Sequence, residues 1–249
     1  MTQPHLSIVI PAYNESRRLP PTLERVVAWA KAQPFVVEVV VVDDGSTDDT
    51  QAVAERGLGN VPHRVLVHAA NRGKGAGLRT GMTAATGEFV LFTDADLSTP
   101  IEEAPLFLEV HARGVPIVIG TRKTGSAQVT VRQNPLRERM GRVYTWLSNV
   151  LICPGVSDFT CGFKSFRADA CREIFSRVAE DGWAYDTEVL FLARRLGFEV
   201  REVPVRWAND PSTRVRLLRD AIGSFAGLVR IRWRSAAGRY RAPPGGAAP

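Results

Sequence analysis

Two aspartates one residue apart, Asp94 and Asp96, follow directly on the apolar run Phe89-Val-Leu-Phe-Thr93. Carboxylates this close repel each other unless a cation lies between them. Oxygen donors of this kind suit Mg²⁺ or Mn²⁺, which are commonly held by one or two carboxylates plus substrate phosphates. The chemistry on offer is charge neutralisation of a diphosphate and its stabilisation as a leaving group. Taken alone, the pair also reads as an ordinary acidic turn. Other groups widen the choice. Asp43 can accept from the N–H of a nucleobase, and the Tyr13 ring can stack on one. Gly73-Lys74-Gly75 lets backbone approach phosphates or simply opens a helix; it has neither P-loop nor dinucleotide-fold spacing.

The elements that must position these residues follow from the apolar pattern. Residues 6–10, 36–42, 63–68, 89–93 and 115–120 are short β-branched or apolar runs, and those buried on both faces belong in a parallel sheet. Helices are expected up to about residue 32, over 47–56, and from the Asn71–Gly77 segment onward. Thr99-Pro100-Ile101-Glu102 reads as a helix start, with a capping hydroxyl, proline at the first helical position and a Glu three residues after the cap. Strands alternating with helices at this spacing specify right-handed crossovers. Tyr13, Asn14 and Glu15, Asp43 and Asp44, Lys74, Asp94 and Asp96, and Arg122 all fall just after strand ends, which places them on one rim.

Beyond Arg122 the pattern loosens. Residues 123–136 are polar and aperiodic, as functional or mobile loops are. A helix over 136–152 carries Arg137, Arg139 and Arg142. Residues 159–166 read as a strand or turn, 169–178 as a short helix, and 199–207 as a last strand. Gly182-Trp-Ala-Tyr-Asp186-Thr-Glu188 opens a helix with two acids in its first turn, favourable to the macrodipole.

The chain of 249 residues is 45% hydrophobic and 23% charged, enough for a substantial core. Cys153, Cys161 and Cys171 lack disulfide or metal spacing and read as reduced, buried, cytosolic thiols. The first five residues are too short and polar for a signal peptide, and no apolar run approaches the roughly 20 residues that span a bilayer. Net charge is +6, but from Arg201 onward ten arginines oppose three acids, leaving −1 for everything before.

Six strings together carry a resemblance: Pro11-Ala-Tyr-Asn-Glu15, Val42-Asp-Asp-Gly-Ser46, Asn71-Arg-Gly-Lys-Gly75, Asp94-Ala-Asp-Leu-Ser-Thr-Pro100, Cys161-Gly-Phe-Lys164 and Trp183-Ala-Tyr-Asp-Thr-Glu188. They resemble family 2 inverting glycosyltransferases of the GT-A fold, most closely the dolichyl- or polyprenyl-phosphate β-glucosyltransferase branch, from about residue 6 to 232. The resemblance implies an α/β fold with a Rossmann-like, mostly parallel sheet flanked by helices over residues 1–212. A basic amphipathic helical segment (213–238) and a disordered tail (239–249) would follow. It implies a nucleotide-sugar site of Pro11, Ala12, Tyr13, Glu15, Asp43, Asp44, Lys74, Asp94, Ala95 and Arg214, where relatives often have Lys. Asp94 and Asp96 would hold Mg²⁺ or Mn²⁺, and Arg122 with Arg137 or Arg139 would meet the acceptor phosphate. Asp96, Arg122 and Asp186 would form the catalytic set. Phe159-Thr160 stands where Thr-Gln is usual, and the spanning segments of some relatives are absent.

The activity so implied is transfer of a hexose, glucose from UDP-glucose, to polyprenyl or dolichyl phosphate. GDP-mannose as donor, a hydroxyl acceptor, or a non-catalytic sugar-nucleotide-binding module are the alternatives. A lipid phosphate attacks without a strong base; a hydroxyl would need one, for which Asp186 or Glu188 is the candidate unless both are helix-capping acids. Val215, Leu218, Ile222, Phe225, Val229 and Trp233 share a stripe bordered by Arg216, Arg219, Arg230 and Arg234. That pattern suits the cytoplasmic face of an anionic membrane, or a helix packed on the domain with its arginines in solvent. Nucleic acid is not an expected partner, since stacking platforms for single strands are missing.

Overall fold

The structure, a computed structural model, describes residues 3–131, 133–209 and 217–240, without the side chains of 217–221. Parallel strands β1 (Leu6–Ala12), β2 (Val37–Asp43), β3 (His63–Val67) and β4 (Phe89–Thr93) build one half of a seven-stranded sheet. β5 (Ile117–Thr121) and β8 (Val200–Pro204) pair in parallel in the other half. With β7 (Phe163–Arg167), the order is β3-β2-β1-β4-β7-β5-β8. β2, β4 and β5 are buried at every residue, as continuous apolar strands must be at the centre of such a sheet.

Successive residues point to opposite faces, and each face has its own core. Val9, Val40, Val42, Phe92 and Ile119 pack against α3 (Lys74–Ala84), α6 (Ala168–Phe175) and α7 (Tyr185–Arg195). Ile8, Ile10, Val39, Val41 and Leu91 pack against α1 (Leu19–Lys31) and α4 (Ala104–Ala112). α2 (Thr50–Gly57) lies beside α1. α5 (Pro135–Leu151) and α8 (Leu217–Ala236) join the first layer through Tyr144, Leu228 and Ile231.

Four details depart from the sequence expectations. β7 (Phe163–Arg167) runs antiparallel between β4 and β5, so the sheet is mixed at its centre. The polar stretch after Arg122 is not all loop: β6 (Gln128–Val131) pairs with β9 (Arg206–Ala208), which is separated from β8 at Val205. Thr99 does not cap a helix. Its hydroxyl faces Cys161 Sγ at 4.0 Å, Pro100 is extended, and a 3₁₀ turn over Ile101–Glu103 precedes α4. α2 starts at Thr50, because residues up to 49 form a loop held by Asp43 and Asp48 side chains. The three cysteines are free and buried. Among the described residues no helix is long and apolar enough to cross a membrane.

Candidate active site at the carboxyl ends of the strands

β1, β2, β4 and β5 point the same way, so the residues after them meet on one edge. Ala12 and Asp43 are register partners at the ends of β1 and β2. Pro11 and Ala12 form the end of β1, half-buried and buried, and the Ala12 carbonyl accepts from the Asp44 N–H at 2.8 Å. A cleft of about 420 Å³ opens there, lined by Tyr13, Asp43, Gly45, Ser46, His68 and Asn71 among others. Asp43 is 2% exposed and accepts from the Ser46 N–H at 2.9 Å. Tyr13 stands exposed at the mouth. Asn14 holds a left-handed φ of 54° while its Oδ1 accepts from the Thr47 N–H, so the β1 and β2 loops are tied together across the cleft. Asn tolerates this conformation better than most residues.

Two residues expected among the nucleotide ligands already have partners within the protein. Glu15 accepts from Arg18 Nε at 2.7 Å and does not line the cleft. Asp44 is buried with both oxygens engaged, accepting from the N–H groups of Arg72 (3.0 Å) and Gly73 (2.7 Å) and from Asn71 Nδ2; its Oδ1 also pairs with His68. It shapes the loop that delivers Lys74. Arg214 lies outside the described residues.

Lys74 opens α3 and donates to Asp94 Oδ1 at 2.6 Å, with its ammonium over the Trp183 and Tyr185 rings. The flanking glycines have a different reason from the phosphate approach expected. A Cβ on Gly73 would meet the Asp181 carbonyl at 2.4 Å, one on Gly75 the Glu180 carbonyl at 2.3 Å, and the Gly75 N–H already donates to Asp181. Glycine is required at both positions because another backbone segment comes this close.

After β4 the chain turns sharply. Leu97 adopts φ 46°, a costly conformation for a bulky side chain, and its N–H donates to the Asp94 carbonyl at 3.1 Å. Ala95 is buried, and Asp96 accepts from the Ser98 N–H at 2.9 Å. Burial, and then the charge of Asp94, push the Asp96 pKa up. Two carboxyl groups thus stand beside the one ammonium of Lys74. Among the described residues no cluster of three or more His, Cys, Asp or Glu could cage a metal. Two carboxylates with other positions left to phosphate oxygens and water is nevertheless how Mg²⁺ is usually bound, so the residues fit such an ion.

The loop before β7 forms the facing wall. A Cβ on Gly162 would overlap the Asp94 carboxylate, and the Lys164 ammonium, fully buried, donates to Asp186 Oδ1 (2.5 Å) and to the carbonyls of Phe159 (2.9 Å) and Cys161 (2.7 Å). All three of its protons are used. Burial raises the Asp186 pKa, Lys164 and Lys74 oppose that, and Asp94 adds to it. Glu188 is not part of this site. It accepts from the N–H groups of Ala179 and Glu180, the Tyr240 hydroxyl and Arg234, which ties α7 to the end of the chain.

Arg122 follows β5 and lays its Nε–Nη2 edge on Asp158 at 2.7 and 2.8 Å, stacked over Trp207. Burial would raise the Asp158 pKa, but Arg122 more than offsets it and holds the carboxyl well below its usual range. Asp158 was not legible as a site residue, being an isolated acid in a Gly/Ser-rich turn. Lys123 was also missed: its ammonium reaches α5, donating to Thr145 Oγ1 at 2.7 Å. Burial lowers its pKa, and Arg122 and Arg142 add to the fall. Arg139 lies exposed and Arg137 half-buried on the first turns of α5.

Residues 7–175 match the family model described as Glycosyl transferase family 2. A dolichyl-phosphate beta-glucosyltransferase of Trichomonas vaginalis is 33% identical over 225 residues, 86% of this chain and 68% of that protein. The Homo sapiens dolichyl-phosphate beta-glucosyltransferase is 30% identical over 250 residues, 95% of this chain and 77% of that protein. Mannosyl-3-phosphoglycerate synthase from Rubrobacter xylanophilus superposes with a TM-score of 0.71 over 99% of this chain and 79% of its own, at 19% identity. Glucosyl-3-phosphoglycerate synthase from Mycobacterium tuberculosis, solved with Mn²⁺, UDP-glucose and phosphoglyceric acid, gives 0.63 over 98% and 82%, at 18% identity. At such identities the structures speak for the fold alone.

Proposed function

The chain belongs to glycosyl transferase family 2, and from that premise we propose that it moves glucose from UDP-glucose, with inversion, onto the phosphate of a polyprenyl or dolichyl lipid. It is a glycosyltransferase of the GT-A fold, and the relatives named dolichyl-phosphate beta-glucosyltransferase support this choice of substrates. The observation that carries the reading is the single edge on which the Asp43 cleft, the Lys74–Asp94–Asp96 cluster and the Arg122–Lys123 cations follow one another.

In this reading Asp43 accepts from the base and Tyr13 covers it. Asp94 and Asp96 would hold Mg²⁺ or Mn²⁺, which supplies positive charge to the departing diphosphate. An acceptor phosphate oxygen attacks the anomeric carbon from the opposite face as the bond to the diphosphate breaks, so configuration inverts. Because the second phosphate pKa is about 6, the acceptor arrives largely as a dianion and no proton need be removed. Arg122 and Lys123, with Arg137 and Arg139 on α5, offset its charge, and orientation plus electrostatics carry the rate. A hydroxyl acceptor would need a base, and the acid nearest that role, Asp186, is already held by Lys164. A lipid acceptor makes this a peripheral enzyme of the cytoplasmic membrane face.

The test is incubation with radiolabelled UDP- and GDP-sugars, Mg²⁺ or Mn²⁺, and C55 polyprenyl phosphate, followed by counting the organic phase. UDP-glucose label should partition there; aqueous label with every donor sinks the lipid-acceptor reading.

A further inference from the structure

The outer faces of α5 and α8 carry large apolar side chains at helical spacing. Val143, Trp146 and Val150 on α5, and Ile222, Val229 and Trp233 on α8, are each between 47% and 69% exposed. The opposite faces of the same helices are buried, through Tyr144, Thr145 and Ser148 on α5 and through Leu228 and Ile231 on α8. The two helices lie side by side, with the Tyr144 and Phe225 rings meeting edge-on at 5.9 Å. Phe225 is the i+3 neighbour of Ile222 and the i−4 neighbour of Val229, so the α8 stripe borders the seam with α5.

The charges around these stripes identify what covers them. α5 holds Arg137, Arg139 and Arg142 against one acid, Glu138. From residue 222 to 240 there are four arginines and no acid; Arg230 and Arg234 are held by Glu180 and Glu188, while Arg232 is exposed and Arg239 stacks on Trp233 at 4.9 Å. A second copy of the chain meeting this face about a two-fold axis would set arginines against arginines. An anionic bilayer instead offers apolar depth to the indoles and phosphates to the guanidinium groups. α5 also borders the acceptor end of the site, since Lys123 reaches Thr145 on its buried face.

We propose that α5 and α8 together form the surface on which the protein sits on an anionic membrane, with Trp146 and Trp233 entering the lipid interface. The proposal deepens the lipid-phosphate reading and rests on it for why the acceptor end faces the bilayer.

The test is co-sedimentation of the full chain with vesicles of phosphatidylcholine, with and without phosphatidylglycerol, and with the variants Trp146→Ser/Val150→Ser and Ile222→Ser/Trp233→Ser. Wild type should bind the anionic vesicles, less so at high salt, with a blue shift in tryptophan emission. Each double variant should bind at least tenfold more weakly. Both should glucosylate a short, water-soluble isoprenyl phosphate at the wild-type rate while losing activity on long-chain acceptor in vesicles. Failure of wild type to bind, equal binding by the variants, or a dimer that the variants dissociate would each overturn the membrane surface. Wild-type vesicle binding without transfer to any phosphate would instead remove the acceptor reading and leave the surface standing.

Discussion

The Asp94 carboxylate lies where a side chain on Gly162 would begin: a Cβ there would stand 2.0 Å from Oδ2 and 2.5 Å from Cγ. The Cys-Gly-Phe-Lys string thus needs its glycine so that one wall of the site can touch Asp94. Gly162→Ala must displace Asp94, and a displacement of about 1 Å costs on the order of 10²-fold in rate. We expect kcat/KM to fall by about that much with the melting temperature little changed. Gly125→Ala, which meets nothing within 4 Å, is the control and should behave as wild type.

Chelation should abolish transfer, and either Mg²⁺ or Mn²⁺ should restore it, because Asp94 and Asp96 leave most coordination positions to other oxygens. Asp96→Asn removes one of the two carboxylates, so the metal concentration giving half-maximal activity should rise at least tenfold. A titration of activity against free Mn²⁺ checks this; an unchanged midpoint contradicts the assignment.

Lys164 and Asp186 form a buried pair, and breaking such a pair from one side costs about 3–5 kcal/mol because the remaining charge is uncompensated. Lys164→Met should therefore lose about that much stability in urea denaturation. Lys164→Met/Asp186→Leu should recover a large part of it. If the double variant is as unstable as the sum of the single ones, the pair is not coupled as described.

Arg122 presents a rigid fork to Asp158 that lysine cannot copy. Arg122→Lys should raise the acceptor KM about tenfold or more and leave the affinity for UDP near wild type. Lys123→Ala should act in the same direction, with a smaller effect. Initial-rate kinetics with each substrate varied in turn separate the two outcomes.

His111 is buried, with Nδ1 at 2.7 Å from the Val115 carbonyl and Nε2 at 2.9 Å from Ser165 Oγ. Burial lowers its pKa from 6.5, against the Val115 bond and with help from Arg167. A histidine whose folded pKa is depressed favours the native state most above the unfolded value. As pH falls below about 6.5 the unfolded chain takes up a proton that the native state refuses, and stability drops by up to about 1.4 kcal/mol per pH unit until the folded pKa is reached. Urea midpoints between pH 7.5 and 5 should show this slope in wild type, and a smaller one in His111→Gln.

The placement of Asp43, Asp94 and Asp96 on one edge was legible because these residues follow strands that can be read from apolar runs alone. Val39 to Val42 admit no other setting than a buried parallel strand, and that fixes where Asp43 points. The surroundings of Arg122 were less so. Phe163-Lys-Ser-Phe-Arg167 is five residues long, and nothing in so short a run tells its direction or its place between β4 and β5. The partners of Asp44 and Glu188 were hidden for a similar reason: both are acids in motifs shared with Asp43 and Asp186, and only tertiary contacts reveal that backbone N–H groups already occupy them. In α8 the pattern held two apolar lines. The buried one, Leu228 and Ile231, was missed beside the more conspicuous exposed one.

The reversed strand β7 has a consequence for how such a catalyst can change. Its approach, residues 158–164, supplies the anchor for Arg122, the gap beside Asp94 and the counter-ion of Asp186 within seven consecutive positions. A change in this short stretch disturbs the surroundings of Asp94, Arg122 and Asp186 at once. Substitutions are accommodated more readily at the outlying positions around it, which leaves the splice between the two halves as the part least free to drift.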